Sequence, residues 1–317
     1  MFDGSSPGRS DPEAPAQAPE QASGGAAPGG RTASGIAYDD EGSGEPVVLI
    51  HAGVADRRMW SHFAADLATD HRVIRHDVRG VGESLPPSGS WSHHTDLLDL
   101  LDELLLERTH IVAASMGAGI AVEVALARPG AVASLVLVGP GGALFSETPA
   151  ELRPIWKAEI DALDRGDIDA AVEVNLRAWV DGRGRAPDAV DPDVRAFVGR
   201  MQREAFEIPE WDAELYPENE LSPPAAGRIA ELTCPVLVLV GDADQPSIRA
   251  TAERVAAEAS RARLVVWPDA AHMLNLERPE AFAGLVREYL GAVGDGRFDG
   301  RPTAAPESSG TPVEPAR

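Results

Sequence analysis

The chain has 317 residues, 44% of them hydrophobic, and a formal net charge of −23 at pH 7. So acidic a protein repels phosphate backbones and anionic lipid surfaces, which argues against nucleic-acid or membrane partners and leaves a small-molecule substrate as the expected partner. The single cysteine, Cys234, excludes an internal disulfide and a multi-cysteine metal site, and we expect it to be a small buried side chain.

Both ends of the sequence are rich in Pro, Gly, Ala and Ser and lack apolar periodicity. We therefore expect disordered tails over residues 1–34 and 294–317. The first residues lack the basic and apolar regions of a secretory signal, and no apolar run approaches the ~20 residues of a membrane span. A cytoplasmic protein is expected.

Between these tails, apolar runs alternate with amphipathic stretches. In chain order, the patterns predict strands at 46–51, 71–77, 109–114, 133–139, 234–241 and 262–268, and helices at 55–68, 94–107, 116–128, 247–259 and 277–291. Strands that alternate with helices predict an α/β fold, with a mostly parallel sheet and helices on both faces. Residues 142–231 show helical patterns without a convincing strand, so we expect them to form a helical insertion.

Ser115 lies where a buried strand gives way to a helix, in the stretch "IVAASMGAGIAVEVALARPG". Its neighbours are small, as a sharp strand-to-helix turn requires. The serine is therefore either a nucleophile held out on that turn or a residue that caps the helix.

Polar side chains follow two further strands of the predicted sheet. Asp242 and Asp244 come directly after the strand at 234–241, and Asp269 and His272 follow the strand at 262–268. Functional residues of parallel α/β sheets collect beyond the carboxyl ends of the strands. A serine needs a base to take its proton, histidine suits that task, and a carboxylate orients the histidine. The order Ser…Asp…His therefore indicates nucleophilic catalysis.

Five segments carry a resemblance to the α/β-hydrolase fold superfamily over roughly residues 31–292. "AASMG" resembles the nucleophile elbow G-x-S-x-G, "HAGV" at 51–54 the H-G-x-P loop, and "DVRGVGES" at 77–84 the D-x-R-G-x-G-x-S turn. "GDAD" at 241–244 resembles the G-x-x-D turn, and "AHMLNLERPE" at 271–280 the G-H-x-x-x-x-E-x-P-E segment. Three positions depart from these patterns, namely Ala113, Ala52 and Val54.

The resemblance implies a role for each matched residue. Ser115 would be the nucleophile, His272 the base and Asp244 the acid, rather than Asp242, which we expect to hydrogen-bond its turn. Met116 and Gly53 would donate the amides of the oxyanion hole. A core over 35–141 and 232–293 would carry a helical cap over 142–231, and the predicted substrate contacts are Val54, Leu144, Phe145, Trp179 and Met273.

Other polar and aromatic residues have structural interpretations. We expect His51 to shape its loop, and the remaining histidines besides His272 to lie on the surface or in turns. Asp77 and Arg79 are expected to tie the turn that follows the strand at 71–77. The tryptophans of the insertion either line a pocket or pack between helices; they are Trp156, Trp179 and Trp211.

The sequence thus predicts a cofactor-free serine hydrolase that cleaves a carboxylic ester or lactone of a small to medium, partly apolar substrate. It offers no metal constellation. Two alternatives stay open. The same triad could serve a C–C bond hydrolase, an acyltransferase or a perhydrolase, or the scaffold could bind a ligand without turnover.

Overall fold

A mostly parallel β-sheet runs through the centre of the structure, a computed structural model that describes residues 29–209 and 215–300. Within these residues the sheet has eight strands: β1 (Gly29–Arg31), β2 (Ala37–Gly42), β3 (Glu45–Ile50), β4 (His71–His76), β5 (Thr109–Ala114), β6 (Val132–Val138), β7 (Val236–Gly241) and β8 (Ala262–Trp267). Their order across the sheet is β1-β2-β4-β3-β5-β6-β7-β8. β2 runs antiparallel to β1 and β4, and every other pair is parallel.

Helices cover both faces of this sheet. They are α1 (Ser61–Leu67), α2 (His93–Glu103), α3 (Met116–Ala127), α4 (Arg153–Asp164), α5 (Ile168–Asn175), α6 (Pro192–Glu207), α7 (Pro246–Glu258), α8 (Leu274–Glu277) and α9 (Pro279–Gly294). Successive strand residues point to opposite faces, and the two cores follow this alternation. Val48 and Ile50 pack with α2, α3 and α7, whereas Val47 and Leu49 pack with α1 and α9. The predicted α/β-hydrolase fold class is confirmed.

The segment between β6 and β7 contains α4, α5 and α6, in the region where the sequence predicts a helical insertion. α5 continues directly into a π-helical turn, Leu176–Asp181. Such turns are rare and often occur at functional sites. The division of the chain into a core and a cap at 142–231 stays a prediction.

The folded part begins earlier than the tail predicted at 1–34 allows. Gly29–Arg31 forms the edge strand β1, and the buried Thr32 hydroxyl accepts a hydrogen bond from the Ile36 amide at 2.9 Å. β2 is also absent from the sequence-based strands. Both strands lack an apolar alternation and are held by backbone pairing, which leaves no hydrophobic signal in the sequence. Residues 1–28 lie outside the described residues.

The C-terminal boundary differs as well. α9 ends at Gly294, but the Phe298 ring is buried and packs edge-on against Tyr289, with ring centroids 5.0 Å apart. Residues up to this aromatic pair therefore belong to the folded part. The rest of the predicted tail, 301–317, lies outside the described residues.

Several histidines are more buried than predicted, whereas Cys234 is buried as expected. Burial raises the pKa of the Cys234 thiol to about 11. His76 and His110 lie on strands of the sheet and His94 on α2, and all three are buried. The prediction of surface or turn positions was wrong for them, because neighbouring strands and helices, which lie far away in the chain, cover these side chains.

Candidate active site

Ser115 occupies a strained turn between β5 and α3. Its backbone has φ 54° and ψ −116°, which residues with a side chain rarely adopt and which marks functional turns. The Ser115 amide donates to the Val138 carbonyl at 2.8 Å, and its own carbonyl accepts from Ala118 at 3.0 Å. In the described part of the chain, the Ser115 hydroxyl has no hydrogen-bond partner, so it does not cap the helix.

Two glycines of α3 explain why small residues follow this serine. A Cβ on Gly117 would lie 2.7 Å from the His51 carbonyl oxygen, and one on Gly119 would lie 2.7 Å from the Ala143 amide nitrogen. Real Cβ atoms do not approach that closely. The start of α3 can therefore pack against the strand ends only without these side chains.

Asp244 and His272 form the closest pair among the predicted site residues. His272 Nδ1 lies 2.7 Å from Asp244 Oδ2, and both side chains are buried. The other Asp244 oxygen accepts from the Gln245 amide at 2.7 Å. A Cβ on Gly139, which follows β6, would lie 2.8 Å from His272 Nδ1. Because Nδ1 pairs with the Asp244 carboxylate, Nε2 is the ring nitrogen of His272 that is available to a group in the cavity.

Asp242 has a different role from Asp244. Its Oδ1 accepts from the Asp269 amide at 2.8 Å, which ties the turn after β7 to the turn after β8. Asp269 itself has a positive φ of 52°. We expected Asp242 to hydrogen-bond its own turn, but its carboxylate instead holds the turn after β8.

The π-helical turn holds the loop that carries His272. The His272 amide donates to the Trp179 carbonyl at 3.3 Å, and the Trp179 and His272 rings lie 4.9 Å apart. Gln245 Nε2 donates to the Ala178 carbonyl at 2.8 Å. The insertion therefore contacts the loops of both Asp244 and His272.

Arg185 adds a second link between the same two regions. Its guanidinium donates to the Asp181 carbonyl at 2.6 Å and to Glu277 Oε2 at 2.8 Å. Glu277 Oε1 accepts from the Ala271 amide at 2.8 Å, one residue before His272. This side-chain bridge joins the end of the π-helical turn to the histidine loop.

The loop after β3 faces the start of α3. A Cβ on Gly53 would lie 3.7 Å from Met116 Sδ, and within the described residues the Gly53 and Val54 amides donate no hydrogen bond. His51 holds this loop: its Nε2 accepts from the Val78 amide at 3.0 Å and its Nδ1 lies 2.8 Å from the Ala52 carbonyl. The loop-shaping role expected for His51 is thereby confirmed.

Ser115 and His272 open into one cavity of about 1150 Å³. The predicted oxyanion-hole residues Gly53 and Met116 line it, and so do three of the predicted substrate contacts: Val54, Phe145 and Trp179. Two predicted contacts do not line it and must be corrected. Leu144 and Met273 are fully buried, because their side chains turn into the two hydrophobic cores instead.

Sequence reasoning missed several residues of this cavity. Of the tryptophans for which the sequence left pocket and packing roles open, Trp156 lines the cavity. Trp211 lies outside the described residues. Glu123 was missed although it carried a signal, since it is the charged residue of an otherwise small and apolar helix, α3. Gln202 of α6 also lines the cavity and gave no such signal.

Burial shifts the ionisation of two lining residues. It raises the pKa of the Glu123 carboxyl to about 7, and the nearby Glu218 carboxylate acts in the same direction. It lowers the pKa of the His93 imidazole to about 4. At neutral pH, His93 is therefore uncharged and Glu123 titrates.

The described ranges contain neither a metal-binding cluster nor a membrane-spanning helix. In residues 29–209 and 215–300, no group of three or more His, Cys, Asp or Glu side chains is arranged to hold a metal ion. None of the helices in those ranges is both long and apolar enough to span a bilayer.

Known proteins share this fold and match most of the chain. A family model described as alpha/beta hydrolase family matches residues 47–285. A 2-hydroxy-6-oxononadienedioate/2-hydroxy-6-oxononatrienedioate hydrolase of Pseudomonas putida is 29% identical over 265 residues, which cover 80% of this chain and 90% of the relative. The structure of a thermophilic esterase from Thermogutta terrifontis is 26% identical with a TM-score of 0.67 and covers 81% of this chain and 93% of the esterase. The enol-lactonase from Burkholderia xenovorans LB400, 23% identical with a TM-score of 0.65 over 81% of this chain and 96% of that one, shows the fold alone.

Proposed function

The chain belongs to the alpha/beta hydrolase family, and on that premise we propose that it is a serine hydrolase that cleaves a carboxylic ester or lactone. The observation that carries the proposal is the 2.7 Å Asp244–His272 hydrogen bond, beside the cavity that Ser115 also lines. The similarity to the Thermogutta terrifontis esterase supports the same reaction class.

The proposed reaction runs through an acyl-enzyme. Ser115 Oγ attacks the carbonyl carbon while its proton passes to His272 Nε2, and the imidazolium then protonates the leaving alkoxide. Water, deprotonated by the same nitrogen, attacks the acyl carbon and releases the acid and the free serine. Asp244 holds the proton on Nδ1 and stabilises the imidazolium. The missing Ser115 hydrogen bond fits a free enzyme, in which such contacts often tighten only when substrate binds.

Negative charge on the carbonyl oxygen needs donors in both steps. The Met116 amide at the start of α3 and the Gly53 amide of the facing loop supply them in this proposal, and the neighbouring Val54 amide has no other partner in the described residues. Removing one such donor typically costs about 100–1,000-fold in turnover.

The Pseudomonas putida relative points to a second candidate, hydrolysis of a dienedioate, a dicarboxylate by its name. The charged lining of this cavity opposes that substrate, because it is dominated by glutamates. Repulsion between like charges in a partly desolvated site weakens binding of a dicarboxylate. A neutral or cationic ester or lactone fits the electrostatics better.

Labelling with a fluorophosphonate tests the proposal without a guess at the substrate. Intact-mass analysis is expected to show one adduct, which is lost in Ser115→Ala. Ser146→Ala is the matched control, because this second serine also lines the cavity and is expected to leave the adduct in place.

Folding of each variant is checked by its thermal melting curve. An adduct that persists in folded Ser115→Ala would contradict the assignment of the nucleophile. Absence of any adduct on the folded wild-type protein would instead favour ligand binding without turnover.

A further inference from the structure

The wall of the cavity carries many more negative than positive side chains. Its described lining includes five glutamates and one arginine: Glu123, Glu147, Glu159, Glu218, Glu220 and Arg228. The arginine is already paired, since its Nη2 donates to Glu231 Oε2 at 2.8 Å and its Nη1 faces the Pro223 carbonyl. The lining is therefore poorly suited to an anionic ligand.

Glu123 lines this cavity from α3, the helix that follows Ser115. Met116, Ile120 and Glu123 follow the i, i+4, i+7 spacing of one helix face, and all three line the cavity. Eight residues of rise separate Ser115 from Glu123, about 12 Å along the axis. Helical side chains lean towards the N-terminus, so the Glu123 carboxylate lies roughly 10 Å from the serine.

Glu123 has few partners for a charged group that is only 6% exposed. The Leu221 backbone amide acts on its carboxylate in the direction that lowers the pKa. His94 Nδ1 lies 3.9 Å away and has no hydrogen-bond partner. No cation of the described residues neutralises this carboxylate, which leaves it available to a cationic ligand.

A separate observation points to a ligand that donates hydrogen bonds. Gln202 is 5% exposed and lines the cavity, and its Oε1 accepts no hydrogen bond. An unpaired buried acceptor costs free energy until a donor reaches it. A protonated amine supplies three donors and a positive charge, and it accepts no hydrogen bond.

We propose that the substrate is an ester or lactone that carries a protonated amine, whose ammonium binds at Glu123 while its carbonyl lies at Ser115. This inference rests on the proposed serine hydrolase function. Glu218 and Glu220, which are exposed at the mouth of the cavity, attract the same cation before it enters.

Matched esters test this substrate class. An acyl chain of about eight atoms bridges the gap between serine and carboxylate. We therefore compare para-nitrophenyl ω-aminooctanoate with para-nitrophenyl nonanoate, in which a methyl group replaces the ammonium at the same length. The measured quantity is the ratio of kcat/KM for the amino ester to that for the neutral ester.

Glu123→Gln is expected to lower this ratio at least about tenfold, since it removes the charge and keeps the shape. Glu107→Gln, an exposed glutamate outside the cavity, is the control and is expected to keep the wild-type ratio. A ratio in folded Glu123→Gln that equals the wild-type ratio would overturn the inference. If the wild-type protein still hydrolyses both esters and Ser115→Ala does not, the serine hydrolase function stands without the ammonium site. If the wild-type protein shows neither turnover nor a fluorophosphonate adduct, the hydrolase function and the ammonium site are both contradicted.

A measurement on the wild-type protein avoids dependence on folding of the variant. n-Octylammonium and n-octanol are compared as inhibitors of para-nitrophenyl nonanoate hydrolysis. The ammonium is expected to have an inhibition constant about tenfold lower, because only it carries the charge that Glu123 recognises. Equal inhibition by the two compounds would contradict an ammonium site.

Discussion

The Glu123 carboxyl group lies in an environment in which its neutral and charged forms are close in free energy at neutral pH. Burial opposes the charged form, as do Glu218 and Glu220, while the Leu221 amide favours it. The resulting pKa of about 7 means that small changes in pH alter the charge of the cavity.

Preference for the amino ester should consequently depend on pH. Below about pH 7 Glu123 is protonated and cannot pair with the ammonium, and above it the carboxylate forms. The ratio of kcat/KM for amino over neutral ester is therefore expected to rise several-fold from about pH 6 to about pH 8. Both esters react through the same steps at Ser115, so any effect of pH on those steps cancels in the ratio, and the aliphatic ammonium stays charged throughout.

The other titratable groups that face Glu123 lie on α2 and in the segment before Leu221. From α2, burial lowers the pKa of His93 to about 4, so His93 stays uncharged over this range, and burial also lowers the pKa of His94. Glu218 and Glu220 face it from the segment before Leu221. Glu123→Gln is expected to give a flat ratio, and a wild-type ratio that does not change with pH would count against Glu123 as the ammonium site.

At the level of single residues, the sequence predicted positions that follow from local backbone geometry. Ser115, Asp244 and His272 each follow a buried strand, and the turns after strands need small or hydrogen-bonding neighbours that can be seen in the sequence. Leu144 and Met273 were wrong as cavity contacts, because the direction of an apolar side chain near a strand end depends on which core lies beneath it. Packing from distant segments decides that direction.

At the level of elements, the π-helical turn Leu176–Asp181 connects the insertion to the proposed catalytic residues. Its carbonyls accept from the His272 amide and from Gln245, and Arg185 ties its end to Glu277. The Arg185 and Glu277 side chains are 12% and 9% exposed, so their ion pair is largely shielded from solvent. Arg185 thus has the contacts of a positioning residue for the histidine loop.

Arg185→Met is expected to lower kcat about tenfold or more while KM changes less. Loss of the bridge frees the loop of His272, and a displacement of about 1 Å at a catalytic group can cost about 100-fold. The measurement is steady-state hydrolysis of para-nitrophenyl nonanoate at a temperature well below the melting transition. The rate of fluorophosphonate labelling provides a second readout of serine activation.

Arg177→Met is the matched control for this variant. Arg177 belongs to the same π-helical turn, but its side chain is 55% exposed and pairs at 2.7 Å with Glu173 on the surface, with Asp181 Oδ2 farther away at 3.6 Å. Surface pairs contribute little, so kcat should stay at the wild-type value. An unchanged kcat and labelling rate in folded Arg185→Met would show that the bridge has no part in positioning His272.

The sequence predicted the elements that a hydrophobic core marks. β3 to β8 each contain buried Val, Leu, Ile or Ala side chains, and the structure contains all of them within two residues of the predicted bounds. β1, with the sequence GGR, and β2, with AYDDEG, form an antiparallel edge of the sheet. Backbone hydrogen bonds to a partner strand stabilise such an edge, and that partner cannot be recognised from a local pattern.

At the scale of the whole molecule, the alternation of strands and helices determined the fold class, but the shape of the cavity did not follow from it. The cavity wall combines α3 with side chains from α4, α5 and α6 and with residues 218–228. These segments lie far apart in the chain. The motifs could place Ser115 at a strand end, whereas the glutamates opposite it come together only through tertiary packing.

The acidity of the whole chain and that of the cavity favour the same kind of substrate. A net charge of −23 creates a negative potential around the protein. Within the described residues, the cavity mouth continues it with Glu147, Glu218 and Glu220, which are exposed. Such a potential raises the local concentration of cations and lowers that of anions. It extends over about 30 Å at an ionic strength of 0.01 M but over only about 10 Å at 0.1 M, because salt screens it.

Salt should therefore affect esters according to their charge. From about 0.01 M to about 0.5 M sodium chloride, kcat/KM for the amino ester is expected to fall about three- to tenfold. For the neutral nonanoate it should stay nearly constant, and for the nonanedioate monoester, which ends in a carboxylate, it should rise. The double variant Glu218→Gln, Glu220→Gln should reduce the salt dependence of kcat/KM for the amino ester, because these side chains lie at the mouth of the cavity. The control is the double variant Glu103→Gln, Glu107→Gln, on the surface away from the mouth. It should change this salt dependence much less. Equal salt dependence for all three esters would mean that the negative potential does not select the substrate, and that the acidic surface serves only to keep the protein in solution.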